Sequence, residues 1–185
     1  MAILKLTRPR AIAVAAVVCL AATANVGAQN DPALEANVKA VFLFNFAKYV
    51  TWPPIAPGER SPAEVRICVT ANDSFFARLK SAVDGEDIDG KPLLPVALDG
   101  LDEAKTCQIL YVGDAQTLDA KAWLTAVRGH QVLTVADGTL NDETVITFVR
   151  DSNRIRFDIN RTAASGRSLN ISSKLLRLAR QVRDR

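Results

Sequence analysis

The residues with chemistry to offer are few and scattered. A single histidine, His130, follows Gly129 at the head of an apolar run. A general base needs an oriented partner within hydrogen-bond reach. None is suggested by the neighbouring sequence, so His130 reads as structural or exposed. The chain contains no G-x-S-x-G elbow, Walker loop, G-x-G-x-x-G turn or H-E-x-x-H helix. The acidic stretch Asp84–Gly90 (DGEDIDG) resembles a calcium loop in composition, but Ile88 falls where a third side-chain ligand is needed. The closing glutamate is missing as well, so a solvated turn is expected. These residues predict no catalytic group, no metal site and no cofactor.

Charge and thiols both change meaning once the leader is considered. Lys5, Arg8 and Arg10 precede the apolar stretch Ala11–Ala24, and Val26-Gly27-Ala28 is a small-residue cleavage pattern. A secretory signal peptide over residues 1–28 is therefore expected, followed by one domain over 29–185. The apolar stretch is shorter than the roughly 20 residues a membrane span needs. The full chain holds 23 basic and 20 acidic residues; the leader takes three basic and no acidic ones, leaving 20 of each. A chain balanced in this way has no global field to gather nucleic acid. Of three cysteines Cys19 leaves with the leader, so Cys68 and Cys107 remain as a pair in an exported protein. An oxidising compartment favours a disulfide between them, the alternative being two separately buried thiols.

The elements that must position these residues follow from periodicity. Glu35–Val50 (EANVKAVFLFNFAKYV) predicts a helix apolar almost all round, stopped by Trp52-Pro53-Pro54. Strands are expected at Val65–Thr70, Pro92–Leu98, Cys107–Val112 and Gln131–Ala136, with helices at about 73–83 and 118–128 between them. Pro92 and Pro95 place their strand at an edge. Thr144–Val149 and Arg154–Ile159 flank Arg150-Asp151-Ser152-Asn153 as a hairpin, with Arg154, Arg156 and Asp158 sharing an outward face. Ser172–Val182 predicts a final amphipathic helix whose Lys174, Arg177, Arg180 and Arg183 form a basic stripe. That stripe is either a solvated face or a contact for acidic lipid or an acidic partner. The fold class is α/β: one domain, a mixed sheet flanked by helices, ending in that helix.

Two blocks are more specific than any generic motif. One is Asn37-Val38-Lys39-Ala40-Val41-Phe42-Leu43-Phe44-Asn45-Phe46-Ala47-Lys48-Tyr49-Val50-Thr51-Trp52-Pro53. The other runs from Phe157-Asp158-Ile159-Asn160 through Ala163-Ala164 to Leu169-Asn170-Ile171-Ser172-Ser173-Lys174-Leu175-Leu176. With the strands between them, these blocks resemble the YfiR family of bacterial periplasmic proteins, from about Glu35 to Ala179.

The resemblance implies regulation by protein binding in the periplasm. Proteins of that kind hold an inner-membrane diguanylate cyclase inactive through its periplasmic portion. An outer-membrane lipoprotein sequesters the repressor, which releases cyclic-di-GMP synthesis, biofilm formation and reduced motility. The resemblance also implies a single α/β domain, frequently a homodimer, with Cys68 and Cys107 matching one family cysteine pair. Family members with a second pair carry it near 137–150, where this chain has no cysteine.

The expected partner-binding residues are Asn160, Leu169, Asn170, Ile171, Ser172, Ser173, Leu175 and Leu176, each apolar one having docking of the last helix as its equal alternative. Phe42, Phe44, Phe46 and Tyr49 are the expected dimer contacts. A second hypothesis is a small-ligand sensor or solute-binding module built around the polar group Asn160, Asn170, Ser172 and Ser173. A third, a cofactor-free hydrolase using an Asp or Ser outside known motifs, has no motif behind it.

Overall fold

A computed structural model describes residues 31–54, 62–70, 73–139 and 141–184. The leader, with Cys19, lies outside these residues.

The first helix, α1 (Pro32–Tyr49), begins where the Asp31 carboxylate accepts the Ala33 N–H at 2.8 Å and Pro32 supplies a pre-set φ. It ends where Val50 turns extended ahead of the Trp-Pro-Pro run. The chain continues through β1 (Val50–Thr51), β2 (Val65–Thr70), α2 (Asp73–Val83), β3 (Asp87–Ile88) and β4 (Lys91–Leu98). A 3-10 turn (Leu101–Thr106) leads to β5 (Ile109–Asp114), α3 (Leu118–Ala126) and β6 (Leu133–Asp137). The last part comprises β7 (Ile146–Asp151), β8 (Arg154–Asn160), α4 (Arg161–Ser165), β9 (Asn170–Ile171), α5 (Ser173–Leu178) and β10 (Gln181–Arg183).

Eight strands form a mixed sheet in the order β10-β8-β7-β6-β5-β2-β4-β3. Its centre, β4-β2-β5-β6-β7, is parallel, with β8 antiparallel to β7 and β10 parallel to β8. Crossing from β4 past β2 to β5 winds the chain to both sides of β2, which is how helices come to cover both faces. Central β5 has Ile109, Leu110, Tyr111 and Val112 all buried, as expected for a strand covered on both sides. The proline-bearing β4 lies next to the edge, with two-residue β3 outside it.

One core layer joins α1 and α2 to the sheet and extends under α4 and α5. Phe46 is its anchor: its ring lies 5.2 Å from Phe157 in an edge contact and 5.7 Å from Phe148, with Phe42 stacked beside it. Complete burial of one such ring contributes up to about 3 kcal/mol. The second layer, on the opposite face, packs α3 and the 3-10 turn against β2, β5 and β6 around Cys68 and Cys107.

Three expectations are corrected. The C-terminal helix does not run to Val182. Ala179 leaves helical geometry at ψ 144°, and Gln181–Arg183 become an edge strand because Val182 finds a ladder partner in Ile159. The first helix is not buried all round: Leu43 and Phe46 are fully buried, whereas Val41 is half exposed, its face lying away from the sheet. Asp158 shares a face with Arg154 and Arg156 but is buried, under the Arg180 guanidinium.

Candidate functional site

The two blocks singled out in the sequence meet in space. Val50 and Thr51 at the end of the first block pair antiparallel with Ile171 and Asn170 of the second. The Ser172 N–H extends this ladder by donating to the Tyr49 carbonyl at 2.9 Å. Phe42 and Phe46 carry the same junction into the core by packing on Phe157. Residues 119 and 121 positions apart in sequence thus pair along one edge of the molecule.

At that edge the expected partner-binding residues divide. Leu169, Ile171 and Leu175 are buried and hold the segment to the core. Asn160 is buried as well, and its amide is fully committed: Oδ1 accepts the Ala163 N–H at 3.0 Å, capping α4, and Nδ2 donates to the Asn141 carbonyl. Ser172 is half-buried and caps α5 by accepting the Leu175 N–H. Asn170 and Ser173 are exposed, and Leu176 is half-buried against the core. The polar group Asn160, Asn170, Ser172 and Ser173 therefore does not converge on a ligand, because helix capping takes two of its members inward. Among the expected dimer contacts, Phe46 is fully buried within one copy, so it is corrected to a core residue. Phe44 and Tyr49 remain half-buried, Phe44 lying 3.8 Å beneath the Lys48 ammonium. Phe42 belongs to the aromatic cluster.

A polar cluster that sequence reasoning missed sits at the opposite end of α1. The buried Lys39 ammonium lies 2.6 Å from Glu35 and 2.9 Å from Asp137 at the end of β6. Tyr111 donates its hydroxyl to the same Asp137 oxygen at 2.8 Å, and Arg150 pairs with Glu35. Burial pushes the Tyr111 phenol far above its ordinary range, and the Asp137 charge pushes it further. The signal available in the sequence was Lys39 itself, a cation inside an apolar run. Its long-range partner Asp137 lies 98 residues downstream, where no local pattern points to it. Arg167 was missed for the same reason. It is buried and donates to the carbonyls of Ala163 and Glu143, and burial holds its guanidinium below the ordinary value.

Cys68 and Cys107 form a disulfide with Cα atoms 5.9 Å apart, joining β2 to the turn before β5 beneath α3. His130 is exposed in the turn after α3. Among the described residues no three His, Cys, Asp or Glu side chains gather as a metal site. None of the described helices is long and apolar enough to cross a membrane. The described residues thus offer buried ion pairs and a two-block edge.

A sequence model of the YfiR/HmsC-like family matches residues 36–180. No curated protein matches the chain. Among solved structures, a conserved domain protein from Vibrio cholerae O1 biovar El Tor is 14% identical with a TM-score of 0.47, covering 64% of this chain and 54% of its own. The ABC domain in complex with L-Trp from Streptococcus pneumoniae is 13% identical with a TM-score of 0.49, covering 77% of this chain and 60% of its own.

Proposed function

This chain belongs to the YfiR/HmsC-like family, and from that premise we propose that it represses an inner-membrane diguanylate cyclase by binding the cyclase's periplasmic portion. Family membership carries the coarser statement, a periplasmic regulatory role in cyclic-di-GMP signalling. The finer reading is supported by one observation above the others: the β1–β9 ladder presents the two blocks that carry the family likeness as a single edge.

In this reading the leader exports the chain to the periplasm. The surface offered to the cyclase is Asn170, Ser173 and Leu176, with Ser172 at its margin. Leu169, Ile171, Leu175 and Asn160 hold that surface in shape from beneath. An outer-membrane lipoprotein competes for the repressor and so releases cyclic-di-GMP synthesis, biofilm growth and loss of motility. The half-buried rings of Phe44 and Tyr49 are the contacts of a homodimer.

Repression by binding needs an apolar anchor with a polar rim and no perturbed acid or base. Leu176 between Ser173 and the cations of α5 has that composition. Crosslinking in intact periplasm followed by purification of the chain tests the reading. Recovery of the cyclase with the wild type, and its loss with Leu176→Asp, is expected. Recovery of equal amounts with both would contradict the assigned surface, and recovery of none with the wild type would contradict the function.

A further inference from the structure

The sheet is covered unevenly. Beneath α3 the apolar layer ends at Ala136 of β6 and contains no residue of β7, β8 or β10. On that open half Arg156 stands opposite Val149, and Arg154 opposite Asp151. Ile155 and Phe157 point into the core on the other side, so alternation directs Arg154, Arg156 and Asp158 onto this face, open at the two arginines and closed by Arg180 over buried Asp158. Gln181 and Arg183 of the edge strand register with Asp158 and Asn160 and share this face.

A groove of about 450 Å³ runs here, lined by Gly138, Val149, Asp158, Arg180 and Arg183 among others. Its charge is built from arginines that take carboxylates. Arg180 grips buried Asp158 through two hydrogen bonds of 2.9 and 2.5 Å, and Arg183 pairs with Asp142 at 2.7 Å. The Arg183 Nε–H is buried without a partner. Arg154 and Arg156 enter no ion pair among the described residues. β10 is also the last strand of the sheet, so one side of its backbone has no ladder partner among the described strands.

We propose that this half of the sheet is a docking surface for an acidic segment of a protein partner, with its carboxylates against Arg154, Arg156 and Arg183. The inference rests on the reading that the chain works by binding another protein, and it adds a second surface, on the opposite face from α5. A planar guanidinium fork matches carboxylate geometry, and every ion pair already in the groove is of that type. A lipid surface is disfavoured because none of the exposed large apolar side chains among the described residues lies in the groove, where Val149 is half-buried.

The test uses a fluorescein-labelled octaglutamate peptide, with octalysine as control, against the full mature chain. Because neither Arg154 nor Arg156 forms an ion pair, Arg154→Glu/Arg156→Glu should fold; Arg154→Gln/Arg156→Gln serves as the gentler second variant. The wild type should bind octaglutamate with an affinity that falls as salt rises, and both variants should bind it about tenfold or more weakly. Lys174→Glu/Arg177→Glu, which removes cations from α5, should leave binding within about twofold. No binding by the wild type, or equal losses in the two sets of variants, would overturn the proposal.

The cyclase's periplasmic portion provides a separate arm. If it binds the wild type and Arg154→Glu/Arg156→Glu equally well, this surface is not used and the docking proposal falls while the repressor reading stands. If it fails to bind the wild type, the repressor reading falls, and the octaglutamate result still decides the groove.

Discussion

The Lys39 ammonium lies 2.9 Å from the Asp137 carboxylate, tying the first helix to the end of a central strand 98 residues later. Glu35 and Tyr111 complete the cluster, so one lysine pairs with a carboxylate from each of two core elements, Lys39 and Tyr111 sharing one Asp137 oxygen while the other is buried without a partner. The helix that carries the dimer-contact candidates and the first family block is thereby fixed at one end by charge and at the other by the β1–β9 ladder.

Replacing Lys39 by Met should therefore destabilise the fold although it adds apolar surface. Two partly exposed carboxylates would be left facing each other, at a cost of about 2 kcal/mol, below the full penalty for a completely buried pair. Urea unfolding of the purified variant measures this through its midpoint. An unchanged midpoint would mean that the cluster contributes nothing net.

Tyr111 gives a prediction in alkaline solution. Its folded-state pKa is raised, so the folded chain keeps the phenolic proton after the unfolded chain has begun to lose it near the ordinary value. Its contribution is complete below about pH 10 and declines as pH rises further. Melting temperature should fall more steeply above that point in the wild type than in Tyr111→Phe. At neutral pH the variant should be less stable by about 1 kcal/mol, the net worth of the lost hydrogen bond. Parallel pH slopes would contradict this account of the site.

The Cys68–Cys107 bond closes a loop with a sequence separation of 39. Constraining the unfolded chain over that length contributes roughly 4 kcal/mol on the chain-entropy model. Reduction, or the Cys68→Ser/Cys107→Ser variant, should lower the melting temperature markedly. Calorimetry with and without reductant, with thiol exposure verified, checks it; coincident transitions would refute it.

The aromatic residues of α1 should separate by role. Phe46→Ala should cost about 4 kcal/mol at any protein concentration, because the ring lies wholly within one copy. Phe44→Ala and Tyr49→Ala should cost under about 1.5 kcal/mol each. Sedimentation should show these two shifting the chain toward monomer. A wild type that sediments as a monomer at every concentration would remove the dimer from the account.

The legible parts of the fold were those where local pattern and tertiary packing agree. Val65–Thr70 occupies the span its apolar run predicts, and the Arg150–Asn153 turn joins two antiparallel strands as expected. The C-terminus was misread because Lys174, Arg177, Arg180 and Arg183 recur at helical spacing. The pairing of Val182 with Ile159 and the pull of buried Asp158 on Arg180 outweigh that pattern. At the candidate site, proximity of the two blocks was not readable, since it depends on a two-residue ladder joining Val50 to Ile171. Nor could sequence separate Leu175, which faces inward, from Leu176, which is half-buried one position later.

The central claim is that the edge carrying Asn170, Ser173 and Leu176 represses a diguanylate cyclase. Intracellular cyclic-di-GMP, measured in cells that express the cognate cyclase, tests it most directly. Deleting the gene should raise the level, the wild-type gene should restore it, and Leu176→Asp should fail to restore it despite normal periplasmic abundance. A level that does not change on deletion would contradict the account.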